Sequence, residues 1–340
     1  MYDERLSVAE HVAQRMMQRS QSSLQQNLPL VELLDQISNV FRRGRKLDAE
    51  TFEAMAAQMR AVITATNPIR FNEYVRKPTR VRPNSGGVEM LVLTRSVEPG
   101  HGRRAYITTK RLLLTRKKAV LDMGWPGIVA SQHLFERAVE RCLVDGVDLD
   151  DVEHSIVDTI GLGVVWRHAY RTGRIRTDQI AMPMRGGLLL GVIERLEADA
   201  CTRVRSLVNR DCRLDKELPD SRFQDGGDTG SSLSLNYSTV ISDKMFWPAQ
   251  VMLRDSLEIF MARYRTALDE LARSICWEDA EIEPNRGFVE VEPALEILAD
   301  NLTSILEANE DGLRRRRREE TELIPESPPS DHDQNEKMTE

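Results

Sequence analysis

The chain has 340 residues, of which 41% are hydrophobic and 30% are charged, and its formal net charge is −7. This composition is typical of a globular protein with one large or two medium domains. No apolar run approaches the roughly 18 residues that a membrane helix needs, and the N-terminus lacks the basic-then-apolar layout of a secretory signal. We therefore expect a cytoplasmic protein without membrane contact.

The sequence contains no strong metal or cofactor motif. It has four cysteines and no C-x-x-C pair, and its histidines form no H-E-x-x-H pattern. Gly161-Leu162-Gly163 is too short for a dinucleotide-binding fingerprint, and we expect it to interrupt a helix or to allow close packing. We predict no metal site, no cofactor and reduced cysteines.

Residues 1–67 are predicted to form a helical N-terminal module. Asp48 is predicted to start its third helix, in which Phe52, Met59 and Ile63 belong to one apolar stripe. We expect this module to pack on the rest of the chain or to mediate self-association.

Residues 68–87 are predicted to form a basic linker, because three prolines and the run Asn84-Ser85-Gly86-Gly87 break regular structure. From Arg70 to Lys118 the sequence has thirteen basic residues and only three acidic ones. This asymmetry favours contact with a polyanion, although a solvated linker is an equal alternative for the linker itself.

Residues 88–245 are predicted to form a central α+β domain with an antiparallel sheet. Runs of β-branched and apolar residues between turn signals predict strands near residues 88–93, 106–108, 112–115, 119–121, 128–130, 188–193 and 237–242. Basic residues in or beside these strands, Arg111 and Lys117 among them, are candidates for substrate binding. Residues 204–208 are a further strand candidate, and residues 215–232 are predicted to be a surface loop.

A short amphipathic helix is predicted from Ser131 to Arg141, with the Ser131 hydroxyl as its cap. His133, Arg137 and Arg141 are four residues apart and therefore form one polar stripe beside the apolar face. Histidine transfers protons at neutral pH, and arginine one turn away binds phosphate. The stripe favours metal-free phosphodiester cleavage; the alternative is a solvated helix face with Glu–Arg pairs.

This stretch resembles a known class of proteins. The pattern H-x-x-x-R-x-x-x-R, followed by a polar turn and an acidic segment from Gly146 to Val152, resembles the helical half of small ribonuclease-toxin domains of the barnase/EndoU/colicin/RelE-like class. The resemblance implies one or two helices packed on a curved antiparallel sheet. It also implies catalysis by His, Arg and other polar residues without a metal.

A second polar cluster lies between Trp166 and Arg171 and contains His168. Aromatic and basic side chains together are suited to base stacking and phosphate contact. The alternative is a helix end whose Trp166 belongs to the core.

Residues 246–312 are predicted to form C-terminal helices: a long one from Pro248 to Ile275 and a final one from Pro293 to Asn309, which docks back or dimerises. Residues 313–340 are predicted to be a disordered tail. It begins with the basic run Arg314 to Arg318 and continues with an acidic sequence rich in Pro and Ser.

Two functions remain open. The first is a nucleic-acid-acting protein, with metal-independent ribonuclease activity as its most concrete form and RNA or DNA as its partner. Its proposed catalytic residues are His133, Arg137, Arg141 and His168, and its substrate-binding residues are Arg171, Trp166, Arg111 and Lys117. The second is a non-enzymatic interaction or scaffold protein. Its helical ends would bind a second copy or another protein, and its basic centre would dock on nucleic acid or an acidic partner.

Overall fold

The computed structural model describes residues 10–13, 32–33, 36–37, 39–41, 46–66, 68–76, 86–97, 104–117, 119–141, 148–196, 232–276 and 294–310. The strand candidate at 204–208, nearly all of the predicted loop over 215–232 and the tail from residue 313 lie outside these residues.

Eight strands form one sheet in the described part of the chain. They are β1 (Arg70–Arg76), β2 (Gly87–Val97), β3 (Arg104–Thr115), β4 (Ala119–Gly124), β5 (Ile128–Ser131), β6 (Gln179–Met184), β7 (Gly187–Leu196) and β8 (Ser232–Ser242). The strand order is β1-β2-β3-β5-β8-β7-β6, and β4 also pairs with β3. The α+β class is confirmed. The sheet is mixed rather than wholly antiparallel, because β8 returns parallel to β5 after three helices and a hairpin.

Seven α-helices can be delimited among the described residues, besides a short 3-10 helix at Asp243–Met245. They are α1 (Ala49–Ala65), α2 (Gln132–Arg141), α3 (Leu149–Asp158), α4 (Ile160–Arg171), α5 (Pro248–Arg263), α6 (Arg265–Cys276) and α7 (residues 294–310). Further helical residues precede α1, at 10–13, 32–33, 36–37 and 39–41. No helix of the described residues combines the length and apolar character needed to cross a membrane.

The sheet carries an apolar core on each face. Alternate strand residues point to opposite faces, so Met90 and Val92 of β2 pack with Met59 of α1 in the smaller core. Leu93 and Val97 of the same strand belong to the larger core. Residues of α2 to α7 also belong to this larger core, so the C-terminal helices share it with the sheet.

Two predicted helix starts are confirmed, and the side chains of Asp48 and Ser131 cap them. The Asp48 carboxylate accepts a hydrogen bond from the Thr51 N–H at 2.7 Å, which starts α1. The Ser131 hydroxyl accepts from the Leu134 N–H at 3.1 Å, which starts α2. Both interactions satisfy amides that have no partner within the helix.

The predicted linker was wrong over residues 70–76, which form strand β1 along β2. Phe71, Tyr74 and Val75 are good strand formers. The prolines at positions 68 and 78 lie on either side of the strand, as is expected for prolines next to an edge strand.

Of the two alternatives predicted for Gly161 and Gly163, a helix break and close packing, the structure shows close packing, since the chain breaks at Thr159 and both glycines lie inside α4. A Cβ at position 161 would lie 2.1 Å from the Leu268 carbonyl oxygen, and one at position 163 would lie 2.3 Å from the Leu235 side chain. The glycines therefore let α4 approach α6 and β8 closely.

The predicted long helix from Pro248 is two helices. Pro248 occupies the start of α5 as expected. The chain leaves helical geometry at Tyr264, whose φ is −109° and ψ is 19°, and α6 begins at the next residue. The predicted final helix is confirmed as α7.

Candidate functional site

The His133 cluster lies on the outer face of α2 and is formed by one helix. The His133 side chain is 54% exposed, and its Nδ1 lies 3.4 Å from the Glu136 carboxylate. Arg137 Nε donates to His133 Nε2 at 3.3 Å, and Arg137 Nη1 donates to Glu140 at 2.6 Å. All hydrogen-bonding side chains around this histidine in the described structure come from α2. The predicted stripe thus exists, but its charges are paired along the helix.

Arg141, the last member of the predicted stripe, is bound elsewhere. Its Nη1 donates to the Val240 carbonyl oxygen of β8 at 2.7 Å. The Ser131 hydroxyl donates to the Ser238 carbonyl oxygen at 3.4 Å. The two contacts attach both ends of α2 to β8, which gives Arg141 a structural role.

The His168 cluster joins α4 to α7. His168 is 7% exposed, and its Nε2 donates to Glu296 Oε1 at 2.8 Å. Arg171 Nη2 donates to His168 Nδ1 at 3.3 Å. Both ring nitrogens of His168 therefore have hydrogen-bond partners.

Glu296 also pairs with Arg174, whose Nε donates to Asp300 at 2.6 Å. The hydrogen bond to Asp300 raises the pKa of Arg174. Because Glu296 and Asp300 lie one turn apart on α7, His168 and Arg174 hold the polar edge of that helix. Leu298, Ala299 and Leu302 of α7 are buried in the larger core, so α7 is attached by both polar and apolar contacts.

The structure does not bring the predicted acid–base pair into one hydrogen-bonded site. Among the described residues, His133 and His168 share no hydrogen-bond partner. One belongs to an exposed helix face, and the other is buried at a contact between two helices.

Trp166 lies in the larger core and is 2% exposed. A ring buried to this degree presents no free face on which a base could stack. The structure shows the alternative interpretation in that Trp166 is a core residue, although it lies in the middle of α4 and not at a helix end.

The basic residues of strands β1 to β3 pair largely with acids of neighbouring elements. The pairs are Arg70–Asp158, Arg95–Glu153, Arg104–Glu194 and Arg111–Glu89. Arg111 and Glu89 are both buried and 2.5 Å apart, so Arg111 is not available on the surface to a nucleic acid. Lys117, just after β3, is exposed. The excess of positive charge along the sequence is therefore partly balanced inside the fold.

Sequence reasoning missed the buried carboxylate of Glu153. Its oxygens lie 2.6 and 2.9 Å from Arg95 nitrogens of β2. Burial raises the pKa of Glu153 to about 7, although the positive charge of Arg95 acts in the opposite direction. The sequence carried a signal for this burial, because the helical periodicity of α3 places Glu153 on the same side as the apolar residues Ile156 and Val157.

Sequence reasoning also missed an exposed apolar surface at the start and along the outer side of α5. Its residues, together called the α5 face, are Met245 and Trp247 before the helix and Met252 and Ile259 within it. Trp247 is 75% exposed and Ile259 is 67% exposed. Met252 and Ile259 are seven residues apart and lie on the same side of the helix.

The backbone under Trp247 is fixed. The Trp247 N–H donates to the Gln250 side chain at 2.9 Å, and Pro248 follows at the first position of α5. The Arg254 guanidinium lies 5.5 Å from the Phe246 ring centre and 2.6 Å from Asp243. These contacts tie the segment before α5 to the helix, so Trp247 is held at a defined position while its indole remains exposed.

No group of three or more His, Cys, Asp or Glu side chains within the described ranges is placed to hold a metal ion. No protein-family model matches the chain, and no curated protein and no solved structure shows significant similarity to it.

Proposed function

We propose that this protein is a non-enzymatic interaction protein that assembles through the α5 face. One observation carries the proposal. Six large apolar side chains are exposed in the described part of the chain, and four of them lie between residues 245 and 259. Exposed apolar residues scattered singly are common in soluble proteins, whereas four within fifteen residues of chain favour a region that binds a partner.

The chemistry of the α5 face fits protein binding. Tryptophan is enriched among residues that dominate binding energy at protein interfaces. Methionine adapts its shape to a partner, because its side chain is unbranched and flexible. Since the backbone at Trp247 is already fixed by Gln250 and Pro248, little conformational entropy is lost when this residue is buried.

The contacts of His168 and Arg141 support the same proposal. His168 has both ring nitrogens bound in a buried contact, and Arg141 is bound to a backbone carbonyl. Two of the four residues proposed for catalysis thus already have partners within the fold, which favours a structural role for them in the packing of α7 and α2.

The proposal is tested by the size of the native complex in an extract of cells that express the full chain. We expect the double variant Trp247→Ala/Ile259→Asp to elute at a smaller mass than the wild type. Val75→Asp is the matched control, because Val75 is also exposed but lies on β1; its complex should keep the wild-type size. An unchanged mass for the double variant would contradict the proposal.

A ribonuclease that acts through the His133 cluster is the second candidate function. It is favoured by the half-exposed His133 ring and by the 3.3 Å contact between His133 and Arg137. This candidate requires RNA cleavage by the purified protein that disappears in His133→Ala. It also requires RNA binding that weakens steeply with salt.

A further inference from the structure

We propose that the occupant of the α5 face is a second copy of this chain, whose α5 packs antiparallel to the first with Ile259 at the two-fold axis. This inference rests on the interaction function proposed above. It is drawn from the charged and the small side chains that lie on either side of Ile259.

Opposite charges lie at equal distances from Ile259. Asp255 is four residues before it and Arg263 four residues after it, and both are exposed. Four residues correspond to about 6 Å along a helix. In an antiparallel pair centred on Ile259, each Asp255 therefore lies level with Arg263 of the partner subunit. A parallel pair would place like charges together, so the pattern specifies the antiparallel orientation.

Small residues also lie symmetrically about Ile259. Ser256 is three residues before it and Ala262 three residues after it. Two small residues at the same level allow two helix axes to approach within about 8 to 10 Å. The Ser256 hydroxyl already donates to the Met252 carbonyl oxygen at 2.7 Å. Its burial between two copies would therefore leave no unpaired donor.

The charged groups are positioned for this contact by their own helix. Arg254 donates twice to Oδ1 of Asp255, at 2.7 and 3.0 Å, which leaves Oδ2 to accept from a second arginine. The Arg263 guanidinium lies 5.4 Å from the Tyr264 ring centre, and this contact limits its rotamers. The isologous pair would bury both Ile259 side chains and form two Asp255–Arg263 ion pairs across the axis.

The test is a charge exchange followed by sedimentation equilibrium of the purified full-length protein at about 50 mM salt, where screening of exposed charges is weak. We expect a wild-type dimer. Asp255→Arg and Arg263→Asp should each raise the dimer Kd by about tenfold, because each replaces two attractive pairs by two repulsive ones. The double variant Asp255→Arg/Arg263→Asp should restore a Kd near that of the wild type.

Asp269→Arg is the matched control, because Asp269 is exposed on α6 outside the proposed contact, and it should leave the Kd unchanged. Circular dichroism of each variant establishes that it is folded. A monomeric wild type, or a double variant no better than the single ones, would overturn the dimer. If the double variant Trp247→Ala/Ile259→Asp still reduces the complex in extracts, the α5 face binds a different protein and the proposed function stands.

Discussion

Two clusters of the same composition, Glu–His–Arg, lie in different surroundings. In the His133 cluster the glutamate and arginine are three and four residues away on one exposed helix, with contacts of 3.4 and 3.3 Å to the ring. In the His168 cluster the glutamate comes from α7, 128 residues later, and lies 2.8 Å away from a buried ring. The comparison shows that the residue types alone do not decide what a Glu–His–Arg cluster does. It joins two helices where the histidine is buried and the glutamate comes from another helix.

The largest difference between the two clusters should appear when His168 is removed. His168→Ala deletes a buried ring and takes a hydrogen bond from Glu296, so we expect a loss of about 2 to 4 kcal/mol in the free energy of unfolding. Urea denaturation measures this loss. Hydrogen exchange should show faster exchange in α7 than in α2. A stability equal to that of the wild type would remove the structural role of the His168 cluster.

The buried carboxyl of Glu153 should make the free energy of unfolding depend on pH. The pKa of Glu153 is raised from 4.5 to about 7, so the folded protein keeps this proton where the unfolded chain has lost it. The free energy of unfolding should therefore fall as pH rises through this window, by at most roughly 3 to 4 kcal/mol from this group. Glu153→Gln should remove that part of the pH dependence.

Urea denaturation at pH 5 and at pH 8 tests this expectation. Glu50→Gln serves as the control, because Glu50 is exposed in the first turn of α1, and it should keep the wild-type dependence. Identical pH dependences for Glu153→Gln and the wild type would show that the carboxyl of Glu153 does not hold its proton in the folded state.

The smallest effect is expected at the exposed cluster. His133→Ala removes two long contacts on a solvated helix face, so stability should change by less than about 0.5 kcal/mol. RNA cleavage by the purified protein should also be the same for His133→Ala and the wild type. Cleavage that depends on His133 would favour the ribonuclease candidate and would contradict the interaction function.

Local features could be predicted from the sequence because they depend on neighbouring residues. The caps Asp48 and Ser131, the strand after Gly187 and the start of α5 at Pro248 all arise within a few residues of the chain. The four-residue spacing of His133 and Arg137 likewise fixed their position on one face of α2.

Features that depend on distant partners could not be predicted in the same way. Arg95 and Glu153 are 58 residues apart in the sequence, and His168 and Glu296 are 128 apart. The basic stretch was interpreted as a surface for a polyanion, because nothing local shows that α3 supplies the acids for Arg70 and Arg95. The α5 face was missed because exposure of Trp247 depends on which side of α5 the core covers.

The most direct test of the interaction function is the mass of the native complex that contains this chain in cell extracts, measured for the wild type, Trp247→Ala/Ile259→Asp and Val75→Asp. We expect the mass to fall only for the double variant, because only that change alters the α5 face. An equal mass for all three proteins would contradict the central claim that the protein acts by binding through this surface.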